Sequence, residues 1–377
     1  ISKIRVCQLL CSPSRKRGLT FFFIFFINYF TMQKTALITG VTGQDGAYLA
    51  ELLLQTQYKV YGLVRRSSTP NRNNISHFID HKNFIPFYGD LTDINSILSV
   101  LRDVKPHEIY NLGAQSDVKI SFDTPVSTGD SNALGIMRLL DSIRTLNLDK
   151  NTKVYQASTS ELFGKVQETP QKETTPFHPR SPYGVSKLYA YWAVRNYREA
   201  YGMFGCNGIL FNHESPLRGE NFVTRKITKA VAQMYARGRK DPIELGNMDA
   251  KRDWGHAKDY VNGMWQMMQQ KEPDDYILAT GETHSIRQLV ETAFKYVGET
   301  VLWGGTEKDE QGYNSRGDLI VKVNPDFYRP AEVDILCGDP SKAEKKFGWK
   351  RLYTFENLIS EMVEEDINAI YKNKEEV

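Results

Sequence analysis

Cysteine is scarce in this 377-residue chain. The four present, Cys7, Cys11, Cys206 and Cys337, are too few and too scattered for a disulfide framework or a zinc ribbon, and they suit a reducing compartment. An excess of one charge is missing too. With 48 basic and 45 acidic residues the formal net charge is +3. That excludes nucleic-acid binding driven by bulk charge but leaves room for a local basic pocket facing phosphates. No apolar stretch has the ~20 residues that a membrane-spanning helix needs. The strongest candidate, residues 19–30, has 12. The seven histidines never pair with cysteine at ligand spacing, so no metal is expected. Internal repeats, heptads and low-complexity tracts are absent as well. What is present, 41% hydrophobic residues with 20 Tyr, 19 Phe and 5 Trp, is enough for a large core and too aromatic for disorder.

The first 31 residues differ from the rest. They carry five basic residues and no acidic one, and without them the chain has 43 basic against 45 acidic residues. A basic cluster before residues 19–30 fits a signal or anchor segment, a transit peptide, or an extension outside the functional domain. Met32 stands directly before the first expected strand, and no A-x-A cleavage site follows the apolar stretch. The expectation is an extension, so that a chain starting at Met32 keeps its activity.

From residue 34 the pattern alternates. Short apolar runs at 34–39, 59–64, 84–88, 108–112 and 153–158 read as strands, the first nearly continuous, as expected of a strand buried on both faces. Helical periodicity separates them at 47–55, 94–104 and 132–145. Alternation of this kind implies an α/β fold, a doubly wound parallel (Rossmann) sheet with helices on both faces. Beyond about residue 205 the pattern loosens. The expected organisation is a cofactor-binding domain over 32–205, with segments near 250–285 returning to it, and a smaller substrate-binding lobe over 206–377.

Between the first strand and first helix lie Gly40, Gly43 and Gly46, spaced G-x-x-G-x-x-G. Glycines permit the tight turn and let backbone amides approach a pyrophosphate at a helix N-terminus. At the end of the second strand, where an NAD site would offer Asp or Glu, the chain has Arg65, Arg66, Ser67 and Ser68. Two guanidinium groups and two hydroxyls suit a ribose 2′-phosphate, so the expected cofactor is NADP. Downstream, Ser158-Thr159-Ser160-Glu161 ends a strand, and Tyr183-Gly184-Val185-Ser186-Lys187 opens a helix behind Ser181-Pro182. Tyr183 and Lys187, four residues apart, share a helical face. The ammonium is expected to lower the phenol's pKa and leave it a base near neutral pH.

The segments ALITGVTGQDGAYLAELLL, VRRSS, YNLGAQSDVKISF, YQASTSELFG, SPYGVSKLYA, FNHESP, FVTRKI, KRDWGHAKDYV and YRPAEVDILCGDPSKA resemble the GDP-mannose 4,6-dehydratase family of extended short-chain dehydrogenases/reductases. The glycine and Y-x-x-x-K motifs mark the superfamily; T-S-E, N-H-E-S-P and R-D-W-G-H-A-K-D-Y mark the family. The resemblance implies a lyase that oxidises C4 of GDP-mannose with NADP, loses water across C5 and C6, and returns the hydride to C6. It implies Tyr183 as the C4 base, Lys187 tuning it, Thr159 bonding the C4 oxygen and Glu161 serving C5 and C6. Gln44 and Asp45 of the glycine loop, Asp90 and Leu91, then Leu112, Gly113, Ala114, Gln115 and Ser116, and finally His213 and Arg218 match cofactor positions. Ser116, Asn212, Val223, Lys226, Arg252, Arg329 and Glu332 match substrate positions, Arg252 and Arg329 as diphosphate clamps. Ser127 stands where the family usually offers a cofactor-contacting Tyr. Homodimers or homotetramers are implied, in a cytoplasmic enzyme without nucleic-acid or membrane partners.

Overall fold

The structure, a computed structural model, describes residues 33–68, 71–327 and 335–375. Its centre is a seven-stranded sheet made of β1 (Thr35–Thr39), β2 (Lys59–Val64), β3 (Phe84–Tyr88), β4 (Glu108–Asn111), β5 (Lys153–Thr159), β6 (Gly205–Leu210) and a late strand, Asp275–Leu278. From one edge the order is Asp275–Leu278, β6, β5, β4, β1, β2, β3, and every neighbouring pair is parallel. The order reverses between β1 and β4, which opens a crevice at the carboxyl ends of the strands. The doubly wound parallel fold is therefore present.

Ala36, Leu37 and Ile38 of β1 are fully buried, because helices cover both faces of the sheet. One face packs against the helices Gln44–Gln55 and Ala257–Met268, the other against Ile94–Val104, Gly135–Thr145 and Pro182–Tyr201. A further apolar cluster joins the helices Val223–Arg237, Ile286–Tyr296 and Phe355–Glu375 to later strands. These strands include Ile243–Leu245 and Leu319–Val323, neighbours in a four-stranded sheet; Lys251–Arg252 belongs to a separate three-stranded one. Asn212–Glu214 and Trp254–His256 form a separate parallel pair.

Two elements depart from the periodicity reading. The expected helix over 132–145 is present but begins in a π-helical stretch, Asp130–Leu134, that runs without a gap into the regular helix Gly135–Thr145. β6, GCNGIL, is buried throughout although half of it is not apolar. Its composition has a steric cause. A Cβ at Gly208 would lie 2.2 Å from the Tyr155 hydroxyl oxygen and 2.8 Å from two ring carbons of Tyr155.

The Pro182–Tyr201 helix is built as its ends require. Ser181 caps it by accepting from the Gly184 N–H at 3.0 Å, Pro182 begins it, and Gly202 ends it in the left-handed region at φ +65°. Its far end is clamped to the sheet edge. Arg198 donates to both carboxylate oxygens of buried Asp275, at 3.0 and 2.8 Å, and Tyr191 and Asn207 donate to the same carboxylate. Burial alone would raise the Asp275 pKa, but Arg198 and these donors hold it below the ordinary carboxylate value.

Gly208→Ala is expected to destabilise the protein by about 1–3 kcal/mol, the usual cost of overpacking. Tyr155→Phe deletes the nearest atom, a hydroxyl without a hydrogen bond among the described residues, and should recover part of that loss in the double variant, since the two ring carbons stay. Urea denaturation of the four proteins checks it; a double variant no more stable than Gly208→Ala would refute the steric account.

Candidate active site

The loops that leave β1, β2, β3, β4 and β5 all emerge at the carboxyl edge, because those strands are parallel neighbours. They carry, in turn, the glycine loop, Arg65–Ser68, Asp90 and Leu91, Leu112–Ser116, and Thr159 with Glu161. Residues as far apart in sequence as Gly40 and Glu161 are thus lined along one crevice by topology alone.

At its centre backbone meets backbone. Gly40 has φ +69°, and a Cβ there would lie 2.8 Å from the Gly113 N and Cα atoms. A Cβ at Gly46 would sit 2.3 Å from the Gly40 carbonyl oxygen. Gly43 is the N-cap of the helix Gln44–Gln55 but offers no side chain to cap it, so the first-turn amides are left to an anionic group. The cradle that a Cβ would fill and the uncapped helix fit a dinucleotide pyrophosphate. Arg65, Arg66, Ser67 and Ser68 are solvent-exposed just beyond β2. The Asp90 carboxylate accepts from the Thr92 N–H and hydroxyl at 2.9 Å each, and Leu91 is buried against the apolar layer below. Ala114 and Ser116 are on the loop after β4; the Gln115 N–H donates to Asn132 at 2.8 Å.

Asp45 in the first helical turn would repel a phosphate, and the structure neutralises it. The His213 Nε2 atom lies 2.7 Å from Asp45 Oδ2, while Nδ1 lies 2.7 Å from the Phe211 carbonyl and the ring stacks on Tyr260. Burial on its own would depress the imidazole pKa, but the Asp45 carboxylate raises it above the ordinary value. Burial likewise pushes the Asp45 carboxyl up, and His213 brings it below its usual value. Gln44 braces the same corner, donating to the His213 carbonyl at 3.1 Å and accepting from the Ser215 hydroxyl at 2.7 Å. Arg218 pairs with buried Glu214 at 3.1 Å and lies over the Phe222 ring.

Thr159, Tyr183 and Lys187 are buried together at the end of β5. Thr159 caps the turn Ser160–Leu162, accepting from the Glu161 N–H at 3.2 Å, and its hydroxyl is close enough to the Tyr183 phenol to oppose the rise of its pKa. Glu161 is close enough to act electrostatically on that phenol. The Lys187 ammonium donates to the Ala157 carbonyl at 2.8 Å and lies 5.9 Å from the Tyr183 ring centroid. One expectation fails here. Burial pushes the Tyr183 phenol up to about 12, and the opposing influence of Thr159 and Arg218 does not bring it back to the ordinary value. Burial also lowers Lys187 to about 8.

The expected substrate residues are more dispersed. Asn212 lies in the short strand beside Trp254. Val223 opens the helix Val223–Arg237, and Lys226, one turn on, donates to the Glu244 carbonyl at 2.7 Å with its ammonium over the Phe327 ring. Arg252 is buried and donates to the Lys251 carbonyl at 2.7 Å. Arg329 and Glu332 lie outside the described residues, as does the extension 1–31. Ser127 is exposed, its carbonyl accepting from the Ser131 hydroxyl. Sequence reasoning missed Asn132, which bridges the Gln115 backbone to Ser186; the signal was a polar residue within an apolar helical stretch. Among the described residues no group of three His, Cys, Asp or Glu is placed to hold a metal ion, and no helix is long and apolar enough to cross a membrane.

If the His213–Asp45 contact is an ion pair, its sign with pH follows. The raised imidazole contributes stability that is complete below about pH 6.5 and is lost as pH rises through the folded-state value. The lowered carboxyl contributes stability above about pH 4, lost on acidification. His213→Gln is expected to cost about 1.5–3 kcal/mol near pH 6 and less at pH 9, measured by thermal unfolding across that range. A deficit independent of pH would mean that the contact is a neutral hydrogen bond.

A sequence model described as GDP-mannose 4,6 dehydratase matches residues 37–362. The chain is 54% identical over 348 residues to GDP-mannose 4,6 dehydratase of Homo sapiens, covering 90% of this chain and 93% of that protein. It is 53% identical over 358 residues to GDP-mannose 4,6-dehydratase of Vibrio cholerae, covering 91% and 96%. Among solved structures, UDP-glucose 4-epimerase of Thermus thermophilus in complex with NAD superposes with a TM-score of 0.74 at 24% identity, covering 89% of this chain and 99% of that one. The dTDP-glucose 4,6-dehydratase of Bacillus anthracis in complex with NAD gives 0.72 at 21%, covering 91% and 98%. At these identities the structural likeness shows the fold.

Proposed function

The chain belongs to the GDP-mannose 4,6-dehydratase family, nucleotide-sugar hydro-lyases, and from that premise we propose that it converts GDP-mannose to GDP-4-keto-6-deoxymannose and water with Thr159, Glu161, Tyr183 and Lys187 as its catalytic residues. The observation that carries this assignment is the meeting of three of them at one strand end: Thr159 and Tyr183 are buried there, Gly184 beside Tyr183 lies against the Glu161 carbonyl, and Thr159 and Glu161 both act on the phenol. A bound nicotinamide would supply hydride acceptance at C4 and hydride donation at C6, and its positive charge in the oxidised form would favour ionisation of the phenol. Tyr183 accepts the C4 hydroxyl proton, and Thr159 bonds the C4 oxygen. The new C4 ketone acidifies C5–H, and Glu161 takes that proton. Glu161 then protonates the departing C6 hydroxyl, which leaves as water, and the proton that Tyr183 took from the C4 hydroxyl is the one left to return to C5 when C6 is reduced. A carboxylate that alternates between acid and base needs partial access, and Glu161 is half-buried.

The cofactor in this reading is NADP, held by Gly40–Gly46 at the pyrophosphate and Arg65–Ser68 at the 2′-phosphate. Asp90, Leu91, Leu112–Ser116, His213 and Arg218 line its remaining length, and Asn212, Val223, Lys226, Arg252, Arg329 and Glu332 hold GDP-mannose. The cofactor domain spans 32–205 with returning segments, and the later residues form the substrate lobe. A homodimer or homotetramer is supported by exposed Phe122, Val126, Leu134, Val185, Tyr189 and Trp192 on helices that pack against one another. Cytoplasmic residence, serving synthesis of GDP-fucose or a related deoxysugar, completes the proposal.

Arg65→Ala is expected to weaken NADP binding by about 1.5–3 kcal/mol, the value of a charge-assisted contact, and NAD binding far less. Equal losses in calorimetric titrations would make Arg65 structural. Tyr183→Phe should block the first oxidation, so that no reduced cofactor accumulates. Glu161→Gln should oxidise C4 but fail to dehydrate, with both variants losing about 10²–10⁴-fold in turnover. Stopped-flow absorbance of reduced cofactor, with exchange of the C5 hydrogen into deuterated water, separates the two roles. Normal C5 exchange in Glu161→Gln would remove Glu161 from its assigned role.

A further inference from the structure

Three buried polar residues stand at matching register on adjacent strands, Thr39 and Asn111 as the last residues of β1 and β4 and Gln156 within β5. Thr39 of β1 is paired with Asn111 of β4, and Asn111 with Gln156 of β5. Register partners project to the same face. Their exposures are 1%, 3% and 1%, so each polar atom must find a partner inside the protein. They find one another. The Gly113 N–H donates to Thr39 Oγ1 at 3.0 Å, and the Thr39 hydroxyl donates to Asn111 Oδ1 at 2.7 Å. The Asn111 amide donates to Gln156 Oε1 at 2.7 Å, and the Gln156 amide donates to the Ala157 carbonyl at 3.0 Å. That carbonyl is the acceptor of the Lys187 ammonium.

The chain of bonds has a single direction. A backbone N–H can only donate, so Gly113 obliges the Thr39 oxygen to accept and its proton to point onward. This orients the Asn111 amide, which in turn orients that of Gln156. Both lone pairs of the Ala157 oxygen are then filled, one by Gln156 and one by Lys187. At the other end Gly113 is the residue against which Gly40 of the glycine loop packs. Apolar side chains could fill these three positions without a network to satisfy.

We propose that Thr39, Asn111 and Gln156 are positioning residues for Lys187, a directed hydrogen-bond relay that ties the ammonium's anchor to the wall of the glycine loop. The proposal rests on the catalytic reading of Lys187 given above. The relay holds the Ala157 carbonyl in one orientation and limits what it can offer the ammonium, because Gln156 competes for the same oxygen. Besides the relay, Asp45 faces Lys187 from the glycine-loop helix and Tyr183 lies beside it on its own helix.

The test uses the full chain with paired substitutions. Replacing both amides at once, Asn111→Leu with Gln156→Met, removes donors and acceptors together, so no polar atom is stranded between them and the fold should persist. In that variant the turnover of GDP-mannose is expected to fall about tenfold, the order of loss that a small misplacement causes, with KM within about twofold of the parent. Thr39→Val should fall in the same way, and Thr39→Ser, which keeps the hydroxyl, should restore what Thr39→Val loses. A second readout needs neither cofactor nor substrate. Freed from its competitor, the Ala157 oxygen serves the ammonium alone, so Lys187 should titrate about half a pH unit higher, followed by NMR of 13C-labelled lysine with Lys187→Arg to assign the signal. Unchanged turnover, or a loss matched by lowered thermal stability with the Lys187 titration unmoved, would overturn the relay. Were the parent protein itself inactive on GDP-mannose, the functional reading would fall, while the titration would still decide whether the relay acts on Lys187.

Discussion

The arrangement of the site depends on a place where side chains are forbidden. Gly40 lies against Gly113, and Gly46 against the Gly40 carbonyl, at separations that no Cβ could share. This contact sets the distance between the loops leaving β1 and β4, the two strands on either side of the point where the sheet reverses its order. Every other element of the crevice is referred to that distance. The Gln44–Gln55 helix starts where Gly43 releases it, Asp45 meets His213 across it, and Gln44 reaches the strand that follows β6. A side chain on either Gly40 or Gly46 would part the loops and move the helix N-terminus that a phosphate would use.

Burial then decides the electrostatics. In water, a lysine four residues after a tyrosine would be expected to acidify the phenol. In this site both groups are withdrawn from solvent, and desolvation drives them in opposite directions, the phenol up to about 12 and the ammonium down to about 8. Both shifts favour the neutral forms. The site is therefore set so that added charge, from a cofactor or a developing oxyanion, has a large effect on either group.

Much of this was legible in the sequence, for stated reasons. Strands buried on both faces leave continuous apolar runs, which is why β1, β4 and β5 could be read; β3, at the sheet edge and half exposed, was legible from its short apolar run alone. β6 could not, because Gly208 is dictated by the ring of Tyr155 on the neighbouring strand rather than by any local pattern. The π-helical stretch at Asp130–Leu134 was hidden by ordinary helical periodicity. Glycine loop, Tyr183, Lys187 and Thr159 were found because their chemistry depends on local spacing. Asn132 and the Thr39–Asn111–Gln156 set were not, because their meaning arises only when distant segments come together.

The clamp of Arg198 and Tyr191 on Asp275 has a consequence for the order of events during synthesis. The helix bearing Tyr183 and Lys187 is complete at Tyr201, yet the carboxylate that neutralises its buried arginine lies more than seventy residues later. At about 5–20 residues per second a ribosome needs several seconds to cover that interval. Throughout it the nascent chain holds six of the seven sheet strands with β6 as an open edge, and a guanidinium without its counter-charge. Closure of the edge and neutralisation of the arginine then arrive with the same strand, which couples the last strand of the sheet to the first stable placement of the two residues deepest in the site.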